Sequence, residues 1–241
     1  MDITLLVLLS AGMITGFSKF SVGGMGLLIL PVNMIALPGP EALGVIAPMY
    51  VITDLMAIST YRKHIVWPTL FRFLPIAALG VGMGGWLLAG IKPDQFQLML
   101  GVLVLVMLGY SILTDHYPSN FMRHPAAIYV AGLVSGVISI MANAAGPIVS
   151  LFLMEQKLSK EAYMSTRAWC ILLINLAKFP PLIMLGLMNK ETILFSVYCL
   201  PGMVIGAFMG YWLVKKLDLT QFKWLIRGMS AIAAIKLFMF S

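Results

Sequence analysis

The chain has 241 residues, of which 61% are hydrophobic and 10% charged, and its mean hydropathy is +0.97. Soluble domains carry about 25% charged residues, so a soluble enzyme, a disordered protein and a water-filled outer-membrane barrel are excluded. The formal net charge is +7, but no basic run is long enough for a nucleic-acid surface, so no nucleic-acid partner is expected. The composition predicts an all-helical, polytopic membrane protein surrounded by a lipid bilayer.

The first apolar segments, 3–18 and 26–37, are shorter than the about 20 residues that a helix needs to cross a bilayer. A Gly-rich break separates them, so we expect a broken or re-entrant helix pair over 3–37. Three full spans follow within a first repeat, 1–118, at 42–60, 67–91 and 95–114. The N-terminus lacks the basic stretch of a signal peptide, so we expect it to belong to the mature protein.

The second half of the chain follows the same order. A second short pair over 126–154 begins a second repeat, 122–241, with spans at 163–187, 191–214 and 219–240. With an offset of 120, Gly12 and Gly16 align with Gly132 and Gly136. With an offset of 126, the run Met83-Gly84-Gly85-Trp86-Leu87 aligns with Met209-Gly210-Tyr211-Trp212-Leu213. Matches in the same order predict an internal duplication.

Positive charges in the loops predict the orientation of the spans. Suppose that each short pair begins and ends on the same side of the membrane, either as two crossings or as one re-entrant hairpin. One side of the membrane then carries seven basic loop residues and the other carries two: Arg62, Lys63, Arg123, Lys157, Lys160, Lys215 and Lys216 against Lys92 and Lys190. The positive-inside rule favours this arrangement over a single broken helix per pair, which splits the charges almost evenly. The second repeat is then inverted relative to the first, and both termini face outward.

The two breaks predict an anion site near the bilayer middle. Half-helices that begin at Gly26 and Pro147 would point free N–H groups and positive dipole ends at a common centre. The candidate ligand-binding residues in the breaks are Ser21, Gly23, Gly24 and Gly26, together with Ser139, Asn143, Ala144 and Gly146. The paired glycines Gly12, Gly16, Gly132 and Gly136 are expected to serve close helix packing instead.

Two lysines lie in apolar surroundings. Lys178 is eleven residues past Arg167, about 16 Å along a straight helix, which places it near the bilayer middle. Pro180 breaks the helix there, and Asn175 lies nearby, so we expect a polar cavity in which Lys178 contacts substrate. Lys19 lies in the first break, where it either attracts the anion or extends to the membrane–water interface. Arg167 lies near a predicted helix end and is expected to anchor its helix at that interface.

Asp54 is the only acid deep in a predicted span. An acid at that depth is a functional hypothesis by default, often a proton relay. A buried ion pair with Lys178 is the second hypothesis for Asp54.

Groups for catalysis or metal binding are few. The three histidines are scattered in loops, and both cysteines, Cys170 and Cys199, lie in apolar segments. Intramembrane chemistry needs paired acids, a histidine cluster or an activated nucleophile. We therefore expect no enzymatic activity, no metal site and no cofactor.

The chain resembles the TauE/SafE family of sulfite and sulfonate exporters over its whole length. The resemblance rests on the two breaks and one loop: Gly12-x-x-x-Gly16 with Gly23-Gly24-Met25-Gly26 and Pro31, Gly132-x-x-x-Gly136 with Asn143-Ala144-Ala145-Gly146-Pro147, and Tyr61 to Trp67. The second break departs from the family's Gly-rich run at Asn143-Ala144-Ala145. The resemblance implies a multi-pass permease of the bacterial inner membrane that carries sulfite, an organosulfonate or a related small anion.

The sequence therefore predicts a secondary transporter of a small anion, which alternates access around a midplane site and forms a possible homodimer. No P-loop is present, so a gradient would drive transport. An anion channel is the alternative, and a membrane-embedded enzyme is a weaker one.

Overall fold

The computed structural model describes residues 3–20, 26–37, 39–60, 63–116, 126–156 and 158–214. All regular structure in these ranges is helical. The helices are α1 (Ile3–Phe20), α2 (Gly26–Ala36), α3 (Glu41–Thr60), α4 (Trp67–Ala89), α5 (Pro93–His116), α6 (Ala127–Ala142), α7 (Ala145–Glu155), α8 (Lys160–Ala177), α9 (Phe179–Met184), α10 (Lys190–Tyr198) and α11 (Leu200–Val214).

The second short pair, α6 and α7, is separated by a sharp break of two residues. Asn143 ends α6 in the left-handed conformation, with φ 56°. Asparagine tolerates this conformation better than most residues because its short polar side chain forms local hydrogen bonds. Helix α7 begins at Ala145, so the predicted start at Pro147 is wrong by two residues. Pro147 lies in the first turn, where a missing N–H group breaks no helical hydrogen bond.

Two predicted spans are interrupted by prolines. The helix over the expected span 163–187 is interrupted at Lys178, between α8 and α9, as Pro180 predicts, but its two parts form one continuous segment, Glu161–Met184. The expected span 191–214 is not one straight helix, because α10 and α11 meet at Cys199 with a bend of 42°. Pro201 follows this bend and has no N–H to continue the helical ladder.

Among the described residues, two helical segments are long and apolar enough to cross a membrane: Trp67–Ala89 and Glu161–Met184. The bent pair of α10 and α11 is a third if it is one span. Six spans were expected, of which 219–240 lies outside the described residues. Large apolar side chains cover the outer surface of these helices, including Trp86, Phe208 and Met184. Such a surface suits lipid rather than water.

Helix α1 packs closely against α11 through its glycines. A Cβ atom at Gly12 would overlap the carbonyl group of Cys199, and one at Gly16 would overlap that of Met203. Neither glycine can gain a side chain unless the two backbones separate. The prediction that these glycines serve packing is therefore confirmed.

Helix α6 packs in the same way against α4. A Cβ atom at Gly132 would lie 3.1 Å from the carbonyl oxygen of Phe73, and one at Gly136 would overlap that of Ala77. These contacts correspond residue by residue to those between α1 and α11. The glycines of α1 and α6 differ by 120 positions. Their partners differ by 126 positions, since Cys199 corresponds to Phe73 and Met203 to Ala77. These are the same two offsets that align the halves of the sequence.

Candidate functional site

A group of polar side chains is buried where α1, α3, α8 and the break between α6 and α7 meet. Its members, hereafter the buried polar cluster, are Lys19, Tyr50, Asp54, Asn143, Asn175 and Lys178. Lys178 and Asn175 are 2% exposed, and Asp54 is 3% exposed. Polar groups at this level of burial are costly unless they are paired or meet a ligand.

The Asp54 carboxylate joins three helices. Its Oδ1 forms an ion pair with Lys19 in the last turn of α1, and its Oδ2 accepts a hydrogen bond of 2.5 Å from Asn175 Nδ2 on α8. The ion pair expected between Asp54 and Lys178 is therefore wrong, because Lys19 is the partner. Lys19 turns inward to this carboxylate, and its side chain is 18% exposed. The alternative in which it extends to the interface is also wrong.

Lys178 lies at the junction of α8 and α9, and its ammonium donates to Asn143 Oδ1 at 2.5 Å. The ammonium also lies 5.7 Å from the centre of the Tyr50 ring, which is within the range of a cation–π interaction. Asp54 pairs with Lys19, and within the described part of the chain no carboxylate forms an ion pair with Lys178. An ammonium has three donor hydrogens, and Lys178 therefore keeps donors for a ligand.

Asn143 supplies a second donor to the same place. Its backbone N–H is satisfied, because it donates to the carbonyl oxygen of Ser139 at 3.0 Å. Its side-chain Nδ2 is buried and makes no hydrogen bond within the described residues, and the side chain as a whole is 6% exposed. Leaving a buried donor unsatisfied costs about 1–3 kcal/mol. An acceptor atom of a ligand would remove that cost.

The N-terminus of α7 begins directly after Asn143. Ala144 is the N-cap residue, and it has no side-chain acceptor with which to cap the first turn. The first N–H groups of a helix have no partners within it, and they carry the positive end of the helix dipole. A cation, an unpaired amide and an uncapped helix N-terminus thus lie together, and this combination attracts an oxyanion.

Arg167 contacts α7 from the neighbouring helix α8. Its Nε donates to Ser150 Oγ at 2.7 Å, and a Cβ atom at Gly146 would lie 3.7 Å from its Nη2. The side chain is half-buried, so its described contacts favour a position against α7 over the expected interfacial anchor. The space at Gly146 is enough for a methyl group, so packing does not explain this glycine.

The structure brings together five of the predicted charged and amide residues: Lys19, Asp54, Asn143, Asn175 and Lys178. Ser139 is buried one turn before Asn143, and Ala144 and Gly146 lie at the start of α7. Gly26 begins α2. The predicted site residues Ser21, Gly23 and Gly24 lie outside the described residues.

Sequence reasoning missed Tyr50. Its ring lies 4.5 Å from the Lys19 ammonium and 5.7 Å from that of Lys178, and it is 5% exposed. One signal was available, because Tyr50 lies four residues before Asp54 on α3. This spacing puts two side chains on the same face of a helix.

The described residues include no group of three or more His, Cys, Asp and Glu side chains that could hold a metal ion. The buried polar cluster instead offers ammonium and amide donors for an anion and one carboxylate that is able to take up a proton.

The comparisons with known proteins agree with this chemistry. The family model "Sulfite exporter TauE/SafE" matches residues 8–237, nearly the whole chain. No curated protein and no solved structure matches the chain.

Proposed function

Because the chain belongs to the sulfite exporter TauE/SafE family, we propose that it is a secondary transporter that carries a small anion such as sulfite or an organosulfonate. The proposed location is the bacterial inner membrane. The apolar outer surface of the helices supports a position in a bilayer.

One observation carries the proposed binding site. The Lys178 ammonium, which has no carboxylate partner in the described residues, lies beside the unpaired Asn143 Nδ2 and the uncapped start of α7. Three kinds of donor therefore converge among buried residues. We assign Lys178, Asn143 and the first turn of α7 to the anion itself.

The opposite half of the chain is proposed to complete the site. Gly26 begins α2 as Ala145 begins α7, and Ser21, Gly23 and Gly24 precede it in the sequence. In this proposal the first break supplies backbone N–H groups to the second side of the anion. Lys19, at the end of α1, adds positive charge.

Alternating access is proposed to arise from two inverted repeats, 1–118 and 122–241. Two observations support this arrangement. Each first helix of a short pair packs against a span of the other half, α1 against α11 and α6 against α4, through equivalent residues. The loop charges, seven against two, favour opposite orientations of the halves and termini that face outward.

Asp54 is proposed to couple the anion to a proton. Protonation of Asp54 would cancel its charge and release Lys19, which then becomes available to the anion. The groups that face Asp54 from the packed helices are Lys19, Tyr50, Asn175 and Lys178.

The test of the proposed function is uptake of labelled sulfite and labelled methanesulfonate into proteoliposomes that contain the full chain. Lys178→Met is expected to abolish uptake. The matched control, Lys190→Met, removes an exposed lysine at the start of α10 and is expected to leave uptake unchanged. Normal uptake by Lys178→Met would remove this residue from the site. Electrical recording separates a carrier from a channel, because a channel passes far more current.

A further inference from the structure

We propose that Asp54 determines the charge of the anion that the buried polar cluster accepts, and that the cluster prefers a singly charged oxyanion to a doubly charged one. This inference rests on the proposed function, because it concerns the anion bound at the same site. It assigns a specificity role to Asp54 that is separate from proton coupling.

The charges within the cluster do not cancel. The cluster contains two ammonium groups, Lys19 and Lys178, and one carboxylate, Asp54, so its net charge is positive by one. Its other members are neutral amides and a neutral phenol. Among the described residues, no other charged side chain pairs with or hydrogen-bonds to these three groups. A singly charged anion therefore neutralises the cluster, whereas a doubly charged one leaves a buried negative charge.

The carboxylate is held in the cluster and cannot move away from an incoming anion. Both of its oxygens are engaged, one by Lys19 and the other by Asn175. Its side chain is 4% exposed, so water does little to screen its charge. Its repulsion therefore acts on every anion that approaches Lys178, and it is about twice as large for a dianion.

Arg167 is not a member of the cluster. Its Nε donates to Ser150, and its described contacts are with α7 rather than with Lys19, Asp54 or Lys178. Arg167 is unchanged in every variant of the experiment below, so its charge contributes equally to all of them, and a comparison between the variants isolates the charge of Asp54.

The experiment measures competition against the binding of labelled methanesulfonate to the detergent-purified protein at neutral pH, because binding does not require the proton coupling proposed for Asp54. The competitors are three small tetrahedral sulfur compounds with charges of zero, one and two: dimethyl sulfone, methanesulfonate and sulfate. For the wild-type protein we expect methanesulfonate to compete at least about tenfold more strongly than sulfate. Dimethyl sulfone is expected not to compete.

The variant Asp54→Asn adds one unit of positive charge to the cluster. We expect it to shift the ratio of the two inhibition constants toward sulfate by about tenfold. The matched control is Glu41→Gln, which removes an exposed carboxylate from the start of the same helix. Its ratio is expected to equal that of the wild-type protein.

The double variant Lys19→Gln/Asp54→Asn restores a net charge of one and is expected to restore the preference for methanesulfonate. It also keeps the test decisive if Asp54→Asn alone does not fold, because sulfate preference in the double variant would overturn the inference. A wild-type protein that prefers sulfate, or an Asp54→Asn protein with an unchanged ratio, would overturn it as well. If none of the anions competes or is carried by the wild-type protein, the proposed function itself fails.

Discussion

The Lys19 ammonium and the Asp54 carboxylate form a buried ion pair that joins the last turn of α1 to α3. Asn175 on α8 donates to the second oxygen of the same carboxylate. Because α1 and α3 come from the first half of the chain and α8 from the second, this carboxylate connects the two halves. Any movement between them must change these contacts.

The first prediction concerns this ion pair. Lys19→Met should lower stability strongly, because removing one partner of a buried pair costs about 3–5 kcal/mol. The double variant Lys19→Met/Asp54→Asn should be more stable than Lys19→Met, since it leaves no unpaired charge. Thermal unfolding of the detergent-purified protein, followed by circular dichroism, measures both. Equal losses in the single and double variants would contradict an energetic role for the pair.

The second prediction separates the two properties of Asn143, its amide and its left-handed backbone. Asn143→Gly and Asn143→Ala both remove the acceptor of Lys178 and the unpaired donor, so both should lose anion uptake. The alanine variant should be less stable than the glycine variant by about 1–2 kcal/mol, because φ 56° suits glycine but not alanine. Retained uptake in Asn143→Gly would show that the amide does not bind the anion.

The third prediction concerns the role of the Tyr50 ring between the two ammonium groups. Tyr50→Phe keeps the aromatic face and should transport nearly as well as the wild-type protein. Tyr50→Leu removes the face and should weaken anion transport by roughly 2- to 30-fold, the equivalent of about 0.5–2 kcal/mol. The measurement is the concentration dependence of uptake in proteoliposomes. Equal behaviour of the two variants would exclude a cation–π contribution.

The fourth prediction concerns helix packing between α4 and α6. Gly136→Ala places a methyl group against the carbonyl of Ala77, so it should destabilise the protein and abolish uptake. Gly82→Ala, on α4, meets nothing within 4 Å and is the matched control. It should stabilise the helix by about 0.5–1 kcal/mol, because alanine loses less backbone entropy than glycine. A well-folded, active Gly136→Ala protein would contradict the close approach of the two helices.

The sequence by itself determined the helical membrane class, the break within the second short pair, the interruption at Pro180 and the glycine packing. It also identified five of the six residues of the buried polar cluster. These features follow from apolar composition, from glycine and proline, and from charge at depth, all of which act within a few residues of the position concerned.

Only the tertiary structure decided which groups meet. The sequence offered Lys178 as the ion-pair partner of Asp54, whereas the structure gives the carboxylate to Lys19 and leaves Lys178 with Asn143. Tyr50 and the bend at Cys199 also appear only there. The reason is physical: which side chain reaches a carboxylate depends on the rotation and depth of whole helices. Packing contacts between residues far apart in the chain set both.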